Sequence, residues 1–297
     1  MFLFTINPAT VNRHHRIHLG LIGFGNAYLL TGDEYDLDEL QFWANYNLLE
    51  SNPYYRGFAQ GLLHWGQIRG QAWSLRGLAE AASITPDAHP LKRYFNDRLE
   101  YNRLWYASEF LGAGANLLGF NPSGYAYAYD NGRGVAPWQD DFFTWAVGYI
   151  VDLGYSSWKP LLDYKARFSV GRMTAPGVCW ISGASYYLLV RDSESSPDYA
   201  TFAQAYAATI EPAVRAQPCG SAAMGNAFEP PLAAGEMSGY SDSDAGYPSN
   251  MQPALAVAVQ SGIAGADQAW ATFMSRRPPP PSRAPFGRFS PRHRGTT

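Results

Sequence analysis

Residues 72–105 read AWSLRGLAEAASITPDAHPLKRYFNDRLEYNRLW, and this stretch decides the fold. An apolar, helix-like run from Ala72 to Ala82 stops at Thr85-Pro-Asp. A second run follows in which Leu91, Tyr94-Phe95, Leu99, Tyr101-Asn102 and Trp105 recur near the 3.6-residue period of a helix. Thr-Pro ends the first run, and an Asp ahead of the second stands where an N-cap belongs. The unit is an αα-hairpin.

Working outward, the same pattern appears four more times. Gly25 to Leu30 breaks at Thr31-Gly-Asp-Glu-Tyr and resumes from Leu37 to Leu49. Phe142 to Leu153 breaks at Gly154-Tyr-Ser-Ser and resumes from Trp158 to Phe168. Tyr186 to Val190 is followed by Tyr199 to Ile210, and Ala254 to Val259 by Asp267 to Met274. Only Tyr125-Ala-Tyr-Ala-Tyr alternates with the period of a strand. The expected fold is therefore all-α, built from about five hairpins. The breaks fall at unequal intervals, unlike the fixed period of a solenoid. Long loops, 111–137 and 219–253, occupy particular joints, and loops of that length in a compact domain are usually functional or disordered. These features predict an (α/α) toroid over residues 1–275 whose loops wall a central cleft. Residues 276–297, rich in Pro and Arg, are expected to form a disordered basic tail. A ring of six hairpins would lack one at the N-terminus, so the chain is expected to be a truncated form of a longer protein.

Composition narrows the function classes. The chain has 297 residues, enough to bury a full core without a metal or disulfide staple. Only 16% are charged and 15% aromatic, and rings with one polar edge dominate. The net charge of -3 divides unevenly. The last 22 residues hold six Arg and no acid, leaving 16 basic against 25 acidic residues elsewhere. An acidic body argues against nucleic-acid binding. The longest apolar stretch, Leu19 to Leu30, is too short and interrupted to span a membrane. Met1-Phe-Leu-Phe-Thr lacks the features of a signal peptide. Location therefore follows the gene start: extracytoplasmic if it lies upstream, cytoplasmic as the chain stands. Cys179 and Cys219 are compatible with one disulfide or with two buried thiols.

The most informative local string is Trp65-Gly-Gln-Ile-Arg69-Gly-Gln71-Ala-Trp73. Its Arg-Gly-Gln-Ala-Trp core resembles a motif of the unsaturated glucuronyl hydrolases and related (α/α)-toroid enzymes acting on uronic-acid sugars. The resemblance implies substrate contact by this string, with Arg69 holding a carboxylate, Trp73 stacking on the sugar and Gln71 beside them. The chemistry suits those roles independently, because a guanidinium fork matches a carboxylate bidentately and an indole face suits a sugar's apolar face.

A second cluster runs from Tyr125-Ala-Tyr127-Ala-Tyr129 to Pro137-Trp138-Gln-Asp140-Asp141. Tyr125 and Trp138 are read as stacking groups. Asp140 and Asp141 lie in the first turn of the following helix, where the dipole favours ionised carboxylates, so hydrolysis is assigned to one of them with a second acid. The loop acids Glu236, Asp242 and Asp244 are possible partners. Lyase chemistry would instead draw its base from Tyr127 or His64. The expectation is a glycoside hydrolase or polysaccharide lyase acting on an acidic, uronate-containing oligosaccharide or polysaccharide, with no cofactor. The alternative is a non-catalytic helical-hairpin protein that binds glycan or protein. His14-His15-Arg-Ile-His18 lacks a completing Cys or acid, so no metal is expected. Gly20 to Gly25 lacks the third Gly of a dinucleotide loop, and Ser182-Gly-Ala-Ser185 is no nucleophile elbow.

Overall fold

The computed structural model describes residues 23–112, 115–241, 243 and 246–277. Among them the chain is mostly helical, in agreement with the all-α expectation, and a two-stranded sheet is the only paired-strand element. Four of the five expected hairpins form. The first three are α1 (Phe24–Thr31) with α2 (Glu34–Glu50), α3 (Ile68–Ile84) with α4 (Lys92–Phe110), and α5 (Pro137–Asp152) with α6 (Lys159–Thr174). Three short helices follow, α7 (Phe202–Thr209), α8 (Pro212–Arg215) and α9 (Ala222–Asn226), and the last hairpin joins α10 (Tyr247–Gln260) to α11 (Ala266–Met274). The break residues act as read. Gly32, in the left-handed region at φ 71°, closes α1, and the Asp33 carboxylate accepts the Tyr35 N–H at 3.0 Å to start α2.

The hairpin expected from Tyr186 does not form. Its first arm is extended: β2 (Leu188–Leu189) pairs antiparallel with β1 (Gly134–Val135), and the Val190 N–H donates to the Arg133 carbonyl at 2.9 Å. The Gly134–Val135 strand offers the backbone of this short run a partner, and it pairs there instead of coiling. Its second arm does contain a helix, α7, opened by a capping box between Thr201 and Gln204. The Tyr125–Tyr129 run likewise is not a strand: only Tyr129 bridges, to Gly134, after the chain turns through the left-handed residues Asp130 and Asn131.

The hairpins stack in two layers. Arg69 meets Gln139, Trp73 meets Phe142 and Arg76 meets Tyr149, so α3 and α5 run parallel. Trp138 meets Tyr247, Gly148 faces Val257 and Asp152 meets Gln260, so α5 and α10 run parallel too. The returning helices α4, α6 and α11 pack against these three and against one another from the other side. The seam between α5 and α10 is close enough that a Cβ on Gly148 would sit 2.6 Å from Val257. One consequence follows for the site: α3, α5 and α10 begin at the same end of their layer.

Cys179 and Cys219 are joined in a disulfide, which ties the turn after α6 to the segment before α9. Arg276 is buried, and the Arg277 N–H donates to the Gly235 carbonyl at 2.7 Å. Residues 278–297, the histidines at 14, 15 and 18, the first half of the Gly20–Gly25 string, and Asp242 and Asp244 lie outside the described residues. No helix among the described residues is long and apolar enough to cross a membrane.

Candidate functional site

The common starting end of α3, α5 and α10 gathers one cation and a set of rings. Arg69 is the second residue of α3, and its backbone N–H donates to the Gln139 side-chain oxygen at 3.2 Å. Its Nε donates to Gln67 Oε1 at 3.1 Å, and its guanidinium carbon lies 5.3 Å from the centre of the Trp138 ring. No carboxylate among the described residues pairs with it, so the outer face of the guanidinium keeps its donors for a ligand. Trp138, second residue of α5, stacks on Tyr247, first residue of α10, at 5.7 Å.

Further tyrosines close the patch. Tyr186 packs on Tyr247 at 5.4 Å and edge-on to Tyr129 at 5.2 Å, and Tyr187 lies parallel to Tyr129 at 6.4 Å. Tyr240 borders Tyr247 at 6.2 Å and is 72% exposed. Burial, helped by a hydrogen bond with Tyr186, pushes the Tyr129 phenol up to about 12, so it stays neutral in physiological conditions. Three helix N-termini, each with partial positive charge, underlie this surface, and Pro137 and Pro248 open two of them with backbone preset for a helix. The result is an aromatic patch in which Tyr186, Tyr187 and Tyr240 are exposed while Trp138, Tyr129 and Tyr247 are half-buried, with hydroxyls at its rim beside the Arg69 guanidinium, a combination suited to a polar ring that carries an anion.

Of the residues expected from sequence, Arg69 and Trp138 meet here, whereas Tyr125 packs against the segment before α3. The Tyr125 N–H donates to the Gly66 carbonyl at 3.0 Å, and its exposed ring lies 5.5 Å from Trp65. The others are elsewhere. Trp73 lies one turn deeper, in the seam between α3 and α5, against Phe142 and Trp145. Gln71 is 1% exposed and its amide is fully used. Its oxygen accepts from Tyr106 Oη, Asn121 Nδ2 and Ser123 Oγ, and its nitrogen donates to the carbonyls of His64 and Gly66. It is a fastener between α3, α4 and the loop before α5.

The His64 ring stacks on Trp105 at 3.9 Å with Nε2 donating to the Tyr55 carbonyl, and burial lowers its pKa so that it is neutral. Tyr127 donates its hydroxyl to Asp198 at 2.8 Å beneath the Arg191 guanidinium. Burial and the Asp198 carboxylate raise the Tyr127 pKa far above the ordinary phenol range, which disfavours the phenolate that a proton-abstracting base would need. The acid pair is the largest departure from the reading of first-turn acids beside a cleft. Asp140 is ion-paired with Lys165 and accepts the Asn121 N–H at 2.7 Å. Asp141 is ion-paired with Arg172. All four side chains are at most 4% exposed, between α5 and α6. Burial pushes Asp141 up to about 6 even with the Arg172 guanidinium opposing it. Neither carboxylate reaches the aromatic patch. Glu236 is occupied in its own turn, accepting from the Ala233 N–H and Ser241 Oγ.

Tyr186, Tyr187 and Tyr247 are site residues that the sequence reading did not single out. Each was hidden by distance along the chain, although the doublet Tyr186-Tyr187 after Gly183 and the Gly246-Tyr247-Pro248 string carry a mild signal of rings at a turn or helix start. Among the described residues no three His, Cys, Asp or Glu side chains gather as a metal-binding set. Set against protein-family models, curated proteins and solved structures, the chain gives no significant match.

Proposed function

We propose that this protein binds an acidic, uronate-bearing glycan at the shared N-terminal end of α3, α5 and α10, and that its two-layer array is a section of an (α/α) toroid. The observation that carries the reading is the Arg69 guanidinium lying over Trp138 without a carboxylate partner among the described residues, amid Tyr129, Tyr186 and Tyr247. Arg69 pairs with the uronate carboxylate, the exposed phenol rings of Tyr186, Tyr187 and Tyr240 take the apolar face of the sugar, and their hydroxyls meet its polar edge. The resemblance of Arg69 to Trp73 to a motif of uronate-acting enzymes supports the same ligand class.

Between hydrolase or lyase action and binding alone, the geometry favours binding. Asp140 and Asp141 are sealed in ion pairs, and Tyr127 is held protonated beside Asp198. Calorimetric titration with hyaluronan, alginate and polygalacturonate tests the proposal. At least one is expected to bind, with affinity falling as salt rises. Arg69→Gln should weaken it roughly ten- to hundredfold, the value of a charge-assisted hydrogen bond. Failure of every uronate polymer to bind refutes the proposal, and new reducing ends or unsaturated product would show turnover instead.

A further inference from the structure

Helix α2 is apolar on two sides, and the described residues cover one of them. Leu37, Leu40, Ala44 and Leu48 are buried on the side that packs against α1 and α3. Tyr35, Phe42 and Leu49 recur at seven-residue spacing, two helical turns apart, on nearly the opposite side. They are 63%, 58% and 58% exposed. Phe42 has Trp43 at 5.3 Å and Tyr46 at 6.4 Å, so the stripe widens into a ring cluster at its centre. A helix with apolar residues on opposite sides is built to lie between two elements, and an exposed stripe of this kind marks a contact surface.

Charge identifies the cover. Residues 31–50 hold six acids, Asp33, Glu34, Asp36, Asp38, Glu39 and Glu50, and no Lys, Arg or His. Asp38 and Glu39 each stand three or four residues from both Tyr35 and Phe42, so carboxylates flank the stripe on its two sides. Neither forms an ion pair among the described residues. The surface therefore fits a segment that is apolar and basic and lacks acids.

Residues 1–22 have that composition. They contain Arg13, Arg16 and three His but no Asp or Glu, with Phe2-Leu-Phe4 near one end and Leu19 to Ile22 at the other. Residues 278–297 are also basic and free of acids, but their large apolar side chains are only Phe286 and Phe289, and they follow Arg277, which is held at Gly235. Residues 1–22 instead join the described chain at Gly23, directly before α1. A Cβ on Gly25 would sit 3.6 Å from the Leu40 side chain, so the chain enters near the middle of α2. The 17 residues of α2 span about 25 Å, and a segment of 22 residues reaches about 33 Å even at the rise of a helix.

We infer that residues 1–22 dock along the outer side of α2, with their apolar side chains on Tyr35, Phe42 and Leu49 and with Arg13 and Arg16 beside the flanking carboxylates. The segment closes this edge of the helical array. The inference is independent of the acidic-glycan reading.

Hydrogen–deuterium exchange of the full chain, read by mass spectrometry, tests it. Backbone amides of residues 2–22 are expected to exchange at least about tenfold more slowly than in a synthetic peptide of the same sequence. Phe42→Ser/Leu49→Ser, at two exposed positions, should return them to the peptide's rate. Arg13→Glu/Arg16→Glu should do the same from the other side of the contact, with exchange in α3 and α5 unchanged, and it carries the test if the α2 variant does not fold. Peptide-like exchange in the wild type, or protection that survives the folded variants, overturns the inference. Protection that grows with protein concentration, together with a doubled mass in light scattering, also overturns it, because a second copy is then the cover.

Discussion

Substituting the Asp140–Lys165 pair separates a structural role for these charges from a chemical one. The Lys165 ammonium is 0% exposed and the Asp140 side chain 4%. Lys165 also donates to the Gly119 carbonyl at 2.9 Å, and Asp140 accepts the Asn121 N–H, so the pair fastens the 116–121 loop to α5 and α6. Asp140→Asn keeps the shape and an acceptor for Asn121 but strands a buried cation. Lys165→Met strands a buried carboxylate and frees Gly119. Each single change is expected to cost about 3–5 kcal/mol, the usual effect of breaking a buried pair. The double variant Asp140→Asn/Lys165→Met strands no charge and is expected to cost about 1–3 kcal/mol, mainly the hydrogen bond to Gly119. Urea denaturation followed by tryptophan fluorescence measures all three. A total stability of about 5–15 kcal/mol leaves the singles measurable. Folded Asp140→Asn should bind uronate glycan as the wild type does. Singles that cost under about 1 kcal/mol, or a double equal to their sum, would refute the buried pair, because exposed charges couple weakly.

Three further outcomes are expected. Asp141 has a folded pKa of about 6 against an ordinary value of 3.8, so between those pH values the folded state holds a proton that the unfolded chain has released. Its contribution to stability therefore declines by about 2 kcal/mol as pH rises from 4 to 6, and Asp141→Asn should lack that slope in urea midpoints measured across the window. Gly148→Ala drives a methyl into Val257 and should destabilise by about 1–3 kcal/mol in thermal unfolding, with partial recovery when Val257→Ala is added. Removing the Cys179–Cys219 disulfide, which closes a separation of 40 residues, should lower stability by about 2–4 kcal/mol, read as a shift in denaturation midpoint with and without reductant.

Much of the fold was legible because long helical runs repeat their period several times. The α3–α4 and α5–α6 hairpins show this, with breaks at Thr85-Pro-Asp and Gly154. The Tyr186 to Val190 run was not legible, since five apolar residues carry too little period to separate helix from strand, and its partner β1 lies more than 50 residues earlier. At the site, Arg69 and Trp138 stood out as charge beside rings, but nothing local places Tyr247 against Trp138: that contact comes from α5 and α10 packing in parallel. Asp140 and Asp141 were misread because their partners are on α6. A signal existed there: Lys165 and Arg172 stand seven residues apart on the helix face that carries Leu161, Leu162 and Phe168, and two cations on an apolar face call for two buried acids. Gln71 belongs with them. Polar residues in an inner helix served as fasteners, and only contacts distant in sequence distinguish a fastener from a ligand group.

The central claim is that Arg69 and its rings hold a sugar carboxylate. Calorimetric titration of one bound uronate polymer against the same polymer with its carboxyl groups chemically reduced to alcohols tests this most directly, since reduction removes the charge and keeps the ring faces. The account predicts that reduction weakens wild-type binding roughly ten- to hundredfold and leaves the already weakened Arg69→Gln protein unchanged. Equal affinity of the wild type for the acidic and reduced polymers would contradict it.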